Sequence, residues 1–232
     1  MNVAIIFAGG IGSRMGNTAI PKQFLCLNEK PVLAYTLEKF QNHSEVDAII
    51  LVVLREWIDF CCNMKKEYSF GKIASIIPGG KTGQESIYFG IKKAAELFGE
   101  DALLLIHDGV RPLVSSKEIS DAVHCAEKYG NAVPVTLATN TIVLSQSNTI
   151  ASIMDRNKCF LATAPQCYYA HDILPLHEQA KAEKRQFIDS ACLMNYYGKE
   201  LYTVESSPLN IKITTESDFY MFKAYLEMKS HE

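Results

Sequence analysis

Val3-Ala4-Ile5-Ile6-Phe7-Ala8-Gly9-Gly10 is a short apolar run that stops abruptly at a glycine pair. It reads as a strand entering a glycine turn. Downstream, Leu33, Leu37 and Phe40 recur at helical spacing, and Ala48–Leu54 is a continuous run of large apolar residues. Such a run is the pattern of a strand buried on both faces. Ile73–Ile77 is a further short strand, closed by Pro78-Gly79-Gly80. Ile87, Ile91, Ala94 and Phe98 then line one helix face. Ala102–Ile106 is the next buried strand and ends at His107-Asp108. Ser115 and Glu118 make a capping box for a helix that turns Ile119, Val123 and Ala126 inward and stops at Gly130. Strands alternating with helices in this way predict an α/β protein: a mostly parallel sheet with helices on both faces.

From about Val133 the rhythm changes. Thr141–Leu144 and Thr149–Ile153 flank Ser145-Gln146-Ser147-Asn148, the pattern of a β-hairpin projecting from the α/β body. The alternation resumes with a helix over Ile188–Tyr197, a strand over Glu200–Val204 and a last helix over Ser217–Met228. Thr215 and Asp218 are placed to cap that helix; Phe219, Phe222 and Leu226 form its inner face. Without repeats or linkers, residues 1–232 read as one domain with an arm at about 133–157.

Composition agrees. The chain has 232 residues, 48% of them hydrophobic and 21% charged, enough for a packed core. The balance of 23 basic and 26 acidic residues gives a net charge of −3, which excludes the overall electrostatics of a nucleic-acid binder. Apolar runs are too short to cross a membrane, and the first residues carry no signal-peptide pattern, so the expected location is the cytoplasm. The seven cysteines have no metal-site spacing and read as reduced and mostly core residues.

Ligands of a parallel sheet bind beyond the carboxyl ends of its strands. Four unusual segments fall there: Ala8–Gly16, Pro78–Lys81, His107–Pro112 and Asn210–Thr215. Glycine lets backbone N–H groups turn towards phosphate oxygens. Arg14, followed by Pro21-Lys22-Gln23, adds two cations that suit a triphosphate. The loop is not a dinucleotide fingerprint, because Met15 stands where its third glycine belongs. It is not a Walker loop either: Gly80-Lys81-Thr82 mimics the end of one, but residue 75 is serine. Asp108 is read either as a Mg2+ ligand or as a cap for the turn at Gly109, and Arg111 favours the first. His107 is read as a structural histidine. Lys212, between Ile211 and Ile213, is either a solvent-facing lysine or a third cation on the phosphates.

In series, these motifs resemble the cytidylyltransferases that make CDP-alditols, of the methylerythritol 4-phosphate and ribitol 5-phosphate types. The matching pieces run from Ala8 to Asp218. They are Gly10-x-Gly12-x-Arg14-Met15, Pro21-Lys22-Gln23, Gly79-Gly80 with Ser86, His107-Asp108-x-x-Arg111-Pro112, Thr141, Asp155-Arg156-Asn157, Pro165-Gln166, Asp189 and Asn210-Ile211-Lys212-Ile213-Thr214.

The resemblance implies a Rossmann-like nucleotidyltransferase fold whose arm crosses to a partner in a homodimer. It implies transfer of CMP from CTP to an alditol phosphate, with Mg2+ as cofactor. Arg14, Lys22 and Lys212 would be catalytic. Ala8, Gly9, Gly10, Gly12, Gly80, Ser86 and Asp108 would bind the nucleotide, with Asp108 also the metal ligand. Arg111, Thr141 and, from the other subunit, Arg156 would hold the alditol phosphate. Two departures stand out: Ala164 replaces the family's usual threonine before Pro165-Gln166, and Lys81–Glu85 differs from the usual loop. Val110 before Arg111 leans to the ribitol type and to surface-polymer synthesis; the methylerythritol type of isoprenoid synthesis is the alternative. A non-catalytic nucleotide-binding paralogue is a reading of another class. Retention of Arg14, Lys22, Asp108 and Lys212 together argues against it.

Overall fold

The structure is a computed structural model and describes residues 1–9 and 20–229. The opening apolar run forms β1 (Asn2–Ala8). A two-stranded ribbon, β2 (Cys26–Leu27) and β3 (Lys30–Pro31), leads into α1 (Val32–Gln41). Next come β4 (Ala48–Val53), α2 (Ile58–Glu67), β5 (Ile73–Pro78), α3 (Gly83–Phe98) and β6 (Leu103–Asp108). The second half contains α4 (Ser116–Tyr129), β7 (Asn131–Leu137), β8 (Val143–Gln146), β9 (Thr149–Ile153), β10 (Phe160–Ala162) and β11 (Gln166–Tyr169). It closes with α5 (Ala170–Ala182), α6 (Ser190–Tyr196), β12 (Thr203–Glu205) and α7 (Glu216–Lys229).

The large sheet has the order β10-β7-β11-β6-β1-β4-β5, with β12 paired to β7. β5, β4, β1 and β6 are mutually parallel, and β11 runs antiparallel to β6. The expected mostly parallel α/β architecture is therefore present. Alternate residues of β1 serve two cores. Ala4 and Ile6 join Leu33, Leu37 and Phe40 of α1; Val3 and Ile5 join Ile87, Ile91 and Ala94 of α3. Each large side chain so buried contributes about 1.5–3 kcal/mol. Gly90 lets α3 lie close on the sheet, since a Cβ there would sit 2.5 Å from Ile5. The Ser115–Glu118 capping box and the left-handed Gly130 bound α4 as the sequence indicates.

A third cluster, Leu27, Val32, Val110, Ile213 and Phe222, docks α7 against the turn after β6. The Ile213 N–H donates to the Val110 carbonyl at 2.9 Å. Asp218 accepts from the Thr214 and Thr215 N–H groups, each at 2.8 Å, and starts α7 as expected.

The structure corrects several local readings. Val133–Leu137 is not part of the arm: it belongs to β7, which pairs with β10, β11 and β12 and is buried over its first four residues. The hairpin turn is tighter than expected, because Ser145 and Gln146 continue β8 and only Ser147-Asn148 turn, with Ser147 at φ 56°. Two helices escape the sequence pattern. α2 buries only Cys61 and Met64, and α5 carries Pro175 in its interior. Residues 210–214 form no strand; packing and single hydrogen bonds hold them. No described helix is long and apolar enough to cross a membrane.

Candidate active site

β1 lies between β4 and β6, so the sheet's strand order reverses around it. That is where an open α/β sheet forms a crevice. Gly9 follows β1 and Gly79-Gly80 follow β5. A Cβ on Gly9 or Gly79 would sit 3.1 or 2.8 Å from the Ser86 hydroxyl, so glycine permits this close approach. Ser86 is buried, accepts from the Gly80 N–H at 3.1 Å and donates to the Thr82 carbonyl at 2.9 Å. Its hydroxyl thus shapes the loop from beneath. The Lys22–Phe24 turn is pinned to the end of β1 by Gln23, whose buried amide donates to the Ala8 carbonyl at 2.7 Å. Phe24 stacks on Trp57 with centroids 4.1 Å apart, fixing the same turn from the other side. Gly10, Gly12 and Arg14 lie outside the described residues.

Asp108 ends β6 and is 7% exposed. One carboxylate oxygen accepts from Arg111 Nε at 2.8 Å; the other meets the Lys212 ammonium at 2.5 Å. Burial alone would raise this carboxyl, but Lys212 and Arg111 override it and hold it at about 2. Arg111 also donates to the Asn210 carbonyl at 2.7 Å. Lys212 thus reaches the strand end as an ion-pair partner of Asp108, while its side chain stays 42% exposed. His107 is fully buried with Nε2 3.2 Å from the Arg111 carbonyl, and burial lowers its pKa to about 4. It is a neutral structural group under the turn.

Beside this cluster lies a cavity of about 300 Å3, bordered by Asp108, Arg111, Lys212, Thr163, Gln166 and Asp189 among others. Gln166 Nε2 contacts one Asp189 oxygen at 3.2 Å, and the other oxygen accepts the Cys192 N–H at the start of α6. Thr163, next to Ala164, directs its hydroxyl to the Pro134 carbonyl at 3.3 Å, so it does not replace the missing threonine at 164. Val110 is buried in the cluster around Ile213 and Phe222 and does not border the cavity. A second cavity of similar size opens between α3 and α5 around Tyr88, His177 and Lys181. It contains none of Asp108, Arg111 and Lys212.

Thr141 and Arg156 lie on the exposed arm and do not border the strand-end cavity of their own chain. Arg156 donates to the Thr139 carbonyl at 3.0 Å. Gln23 and Asn210 belong to the sequence motifs, but no sequence signal marks their task. Their hydrogen bonds place Lys22 and Arg111, and only tertiary geometry reveals that.

Comparisons with known proteins give the family. A protein of Streptococcus agalactiae serotype Ia named ribitol-5-phosphate cytidylyltransferase is 41% identical over 234 residues, covering 100% of this chain and 98% of the relative. A Clostridium botulinum protein named 2-C-methyl-D-erythritol 4-phosphate cytidylyltransferase is 37% identical over 227 residues, covering 97% of each. The crystal structure of 4-diphosphocytidyl-2C-methyl-D-erythritol synthase from Anaerococcus prevotii superimposes with a TM-score of 0.85 at 26% identity, covering 97% of this chain and 96% of the other. The family profile described as IspD, 2-C-methyl-D-erythritol 4-phosphate cytidylyltransferase, matches residues 2–228. The chain belongs to this family of cytidylyltransferases, nucleotidyltransferases that act on alditol phosphates.

Proposed function

We propose that the alditol phosphate is D-ribitol 5-phosphate and that the product is CDP-ribitol, released with pyrophosphate. The observation that carries the choice of substrate is the full-length 41–42% identity to relatives named for ribitol 5-phosphate, against 36–38% for those named for methylerythritol phosphate. A phosphate oxygen of the alditol attacks the α-phosphorus of CTP. One P–O bond forms there as the bond to the bridging oxygen of pyrophosphate breaks. The attacking oxygen is already ionised, so no protein base is needed. Catalysis is positioning and charge stabilisation.

Lys22, Arg14 and Lys212 stabilise the charge that builds on the α-phosphoryl oxygens. Ala8, Gly9, Gly10, Gly12, Gly80 and Ser86 shape the nucleotide pocket. Arg111 holds the alditol phosphate, joined by Thr141 and Arg156 of a second copy whose arm reaches across. Asp108 fits Mg2+: it is an ionised oxygen donor at the strand end, and Mg2+ needs only one or two carboxylates beside phosphates and water. Bound there with the triphosphate, the metal would neutralise phosphate charge. Lys212 would then exchange its carboxylate partner for a phosphate.

The deciding experiment measures pyrophosphate release with CTP, UTP, ATP and GTP against ribitol 5-phosphate, methylerythritol 4-phosphate and other polyol phosphates, with and without Mg2+. The expected result is the highest kcat/KM for CTP with ribitol 5-phosphate, dependent on Mg2+. A higher kcat/KM with methylerythritol 4-phosphate would move the chain to the isoprenoid branch. Absence of release with every pair would favour a binding paralogue.

A further inference from the structure

Residues 206–212 cross the end of the sheet without a strand ladder, yet they deliver Lys212 to Asp108. Glu118, in the first turn of α4 and 5% exposed, holds them. Its Oε1 accepts from the Ser206 hydroxyl at 2.7 Å, the Ser207 N–H at 2.9 Å and the Asn210 amide at 3.3 Å. Its Oε2 accepts from the Ser115 N–H and hydroxyl at 2.9 and 2.7 Å. The capping box needs only the Ser115 side, so helix capping does not account for Oε1. Asn210 also donates to the Ala164 carbonyl at 2.7 Å, and its own carbonyl is the acceptor for Arg111. One carboxylate is thus linked through Asn210 to Arg111 and, two residues further on, to Lys212.

We propose that Glu118 is a positioning residue for nucleotidyl transfer. It fixes residues 206–210 so that Arg111 and Lys212 converge on Asp108. This rests on the roles proposed above for Arg111 and Lys212. The carboxylate form is what the site requires, because every group aimed at Oε1 other than a rotatable hydroxyl is a fixed donor. Burial opposes that ionised form, but the hydrogen bonds outweigh burial and lower the pKa.

Glu118→Gln tests the link. An amide closes a capping box, but its NH2 end then faces the Ser207 N–H and the Asn210 amide, donor against donor. Three readings are taken on the full chain: thermal stability, the rate at which an amine-reactive reagent labels Lys212, and kcat and KM for CTP from pyrophosphate release. Lys93 on α3 is the internal labelling control. The expected result is labelling of Lys212 faster by about threefold or more at constant Lys93 labelling, and kcat lower by about tenfold with KM for CTP changed far less. Wild-type labelling of Lys212 in a folded Glu118→Gln protein overturns the proposal. Ser206→Ala leaves the helix cap intact and removes one Oε1 contact. It should shift the same readings in the same direction, and it decides the matter if Glu118→Gln does not fold: unchanged labelling and kcat there overturn the proposal. Faster Lys212 labelling with unchanged kcat supports the positional link and sinks the role given to Lys212 in transfer.

Discussion

At the end of β6 a buried carboxylate meets two cations within one chain, whereas the hairpin of β8 and β9 presents Val143, Leu144, Ile150 and Ile153 to solvent. The contrast extends to their surroundings. Around Asp108, the Asn210 carbonyl holds Arg111 from a second direction. Around the hairpin, Leu137, Met154, Phe160 and Leu161 extend the exposed apolar surface. A two-stranded hairpin is marginal in water on its own, and contiguous apolar surface marks an interaction site. The polar half of the site is therefore assembled by one chain. The arm's exposed apolar face suits the second copy proposed above.

The contrast breaks most severely at Asp108. Asp108→Asn should lower turnover by about two orders of magnitude or more, because the anchor for Lys212 and for the proposed Mg2+ is lost. Pyrophosphate release at saturating Mg2+ checks this; near-normal activity would mean the cluster is structural only. The next test joins the two regions. Lys212→Ala and Arg156→Ala should each be nearly inactive alone. After subunit exchange, one site of each mixed dimer regains both residues, so activity should return to about a quarter of wild type per chain in a two-fold dimer. Mixed dimers that form but stay inactive would show that Arg156 does not act across an interface. A charge on the arm, Ile150→Glu, should shift the protein to monomers in sedimentation. It should reduce activity in parallel while leaving the Asp108 cluster's protection of Lys212 intact. A dimer that survives the charge would remove the arm from the interface.

The smallest effect is on acid stability. Burial lowers both His107 and His177 to about 4. Both are neutral in the fold, while the unfolded chain takes up their protons below the ordinary histidine value of about 6.5. Stability from these groups is thus full above about 6.5 and is lost as pH falls towards 4. His177→Leu should remove about half of that loss at little cost at pH 7.5, since neither ring nitrogen has a hydrogen-bond partner among the described residues. Urea midpoints measured from pH 7.5 to 4.5 would show it; an unchanged slope would mean His177 does not titrate this way.

The central strands were legible because continuous apolar runs ending in glycine or Asp leave few alternatives. The same logic placed Asp108 and Arg111 together. β7 was misassigned because Asn131–Leu137 and the arm differ in burial, not in local pattern. Glu118 was readable as half of a capping box, but its second oxygen bonds groups far along the chain, which spacing cannot show. Lys212 stood open between two readings because it lies on no regular element; contacts of Ile213 with Val110 and Phe222 decide its position.

That last contact also orders events during synthesis. Asp108 and Arg111 leave the ribosome roughly a hundred residues ahead of Lys212, and elongation at about 5–20 residues per second makes this a delay of about 5–20 seconds. Through that interval the nascent chain carries its carboxylate and guanidinium without the ammonium or the docking of Phe222. On the role proposed for Lys212, competence to use CTP arrives with the final helix, and a prematurely terminated chain would be a poor consumer of nucleotide.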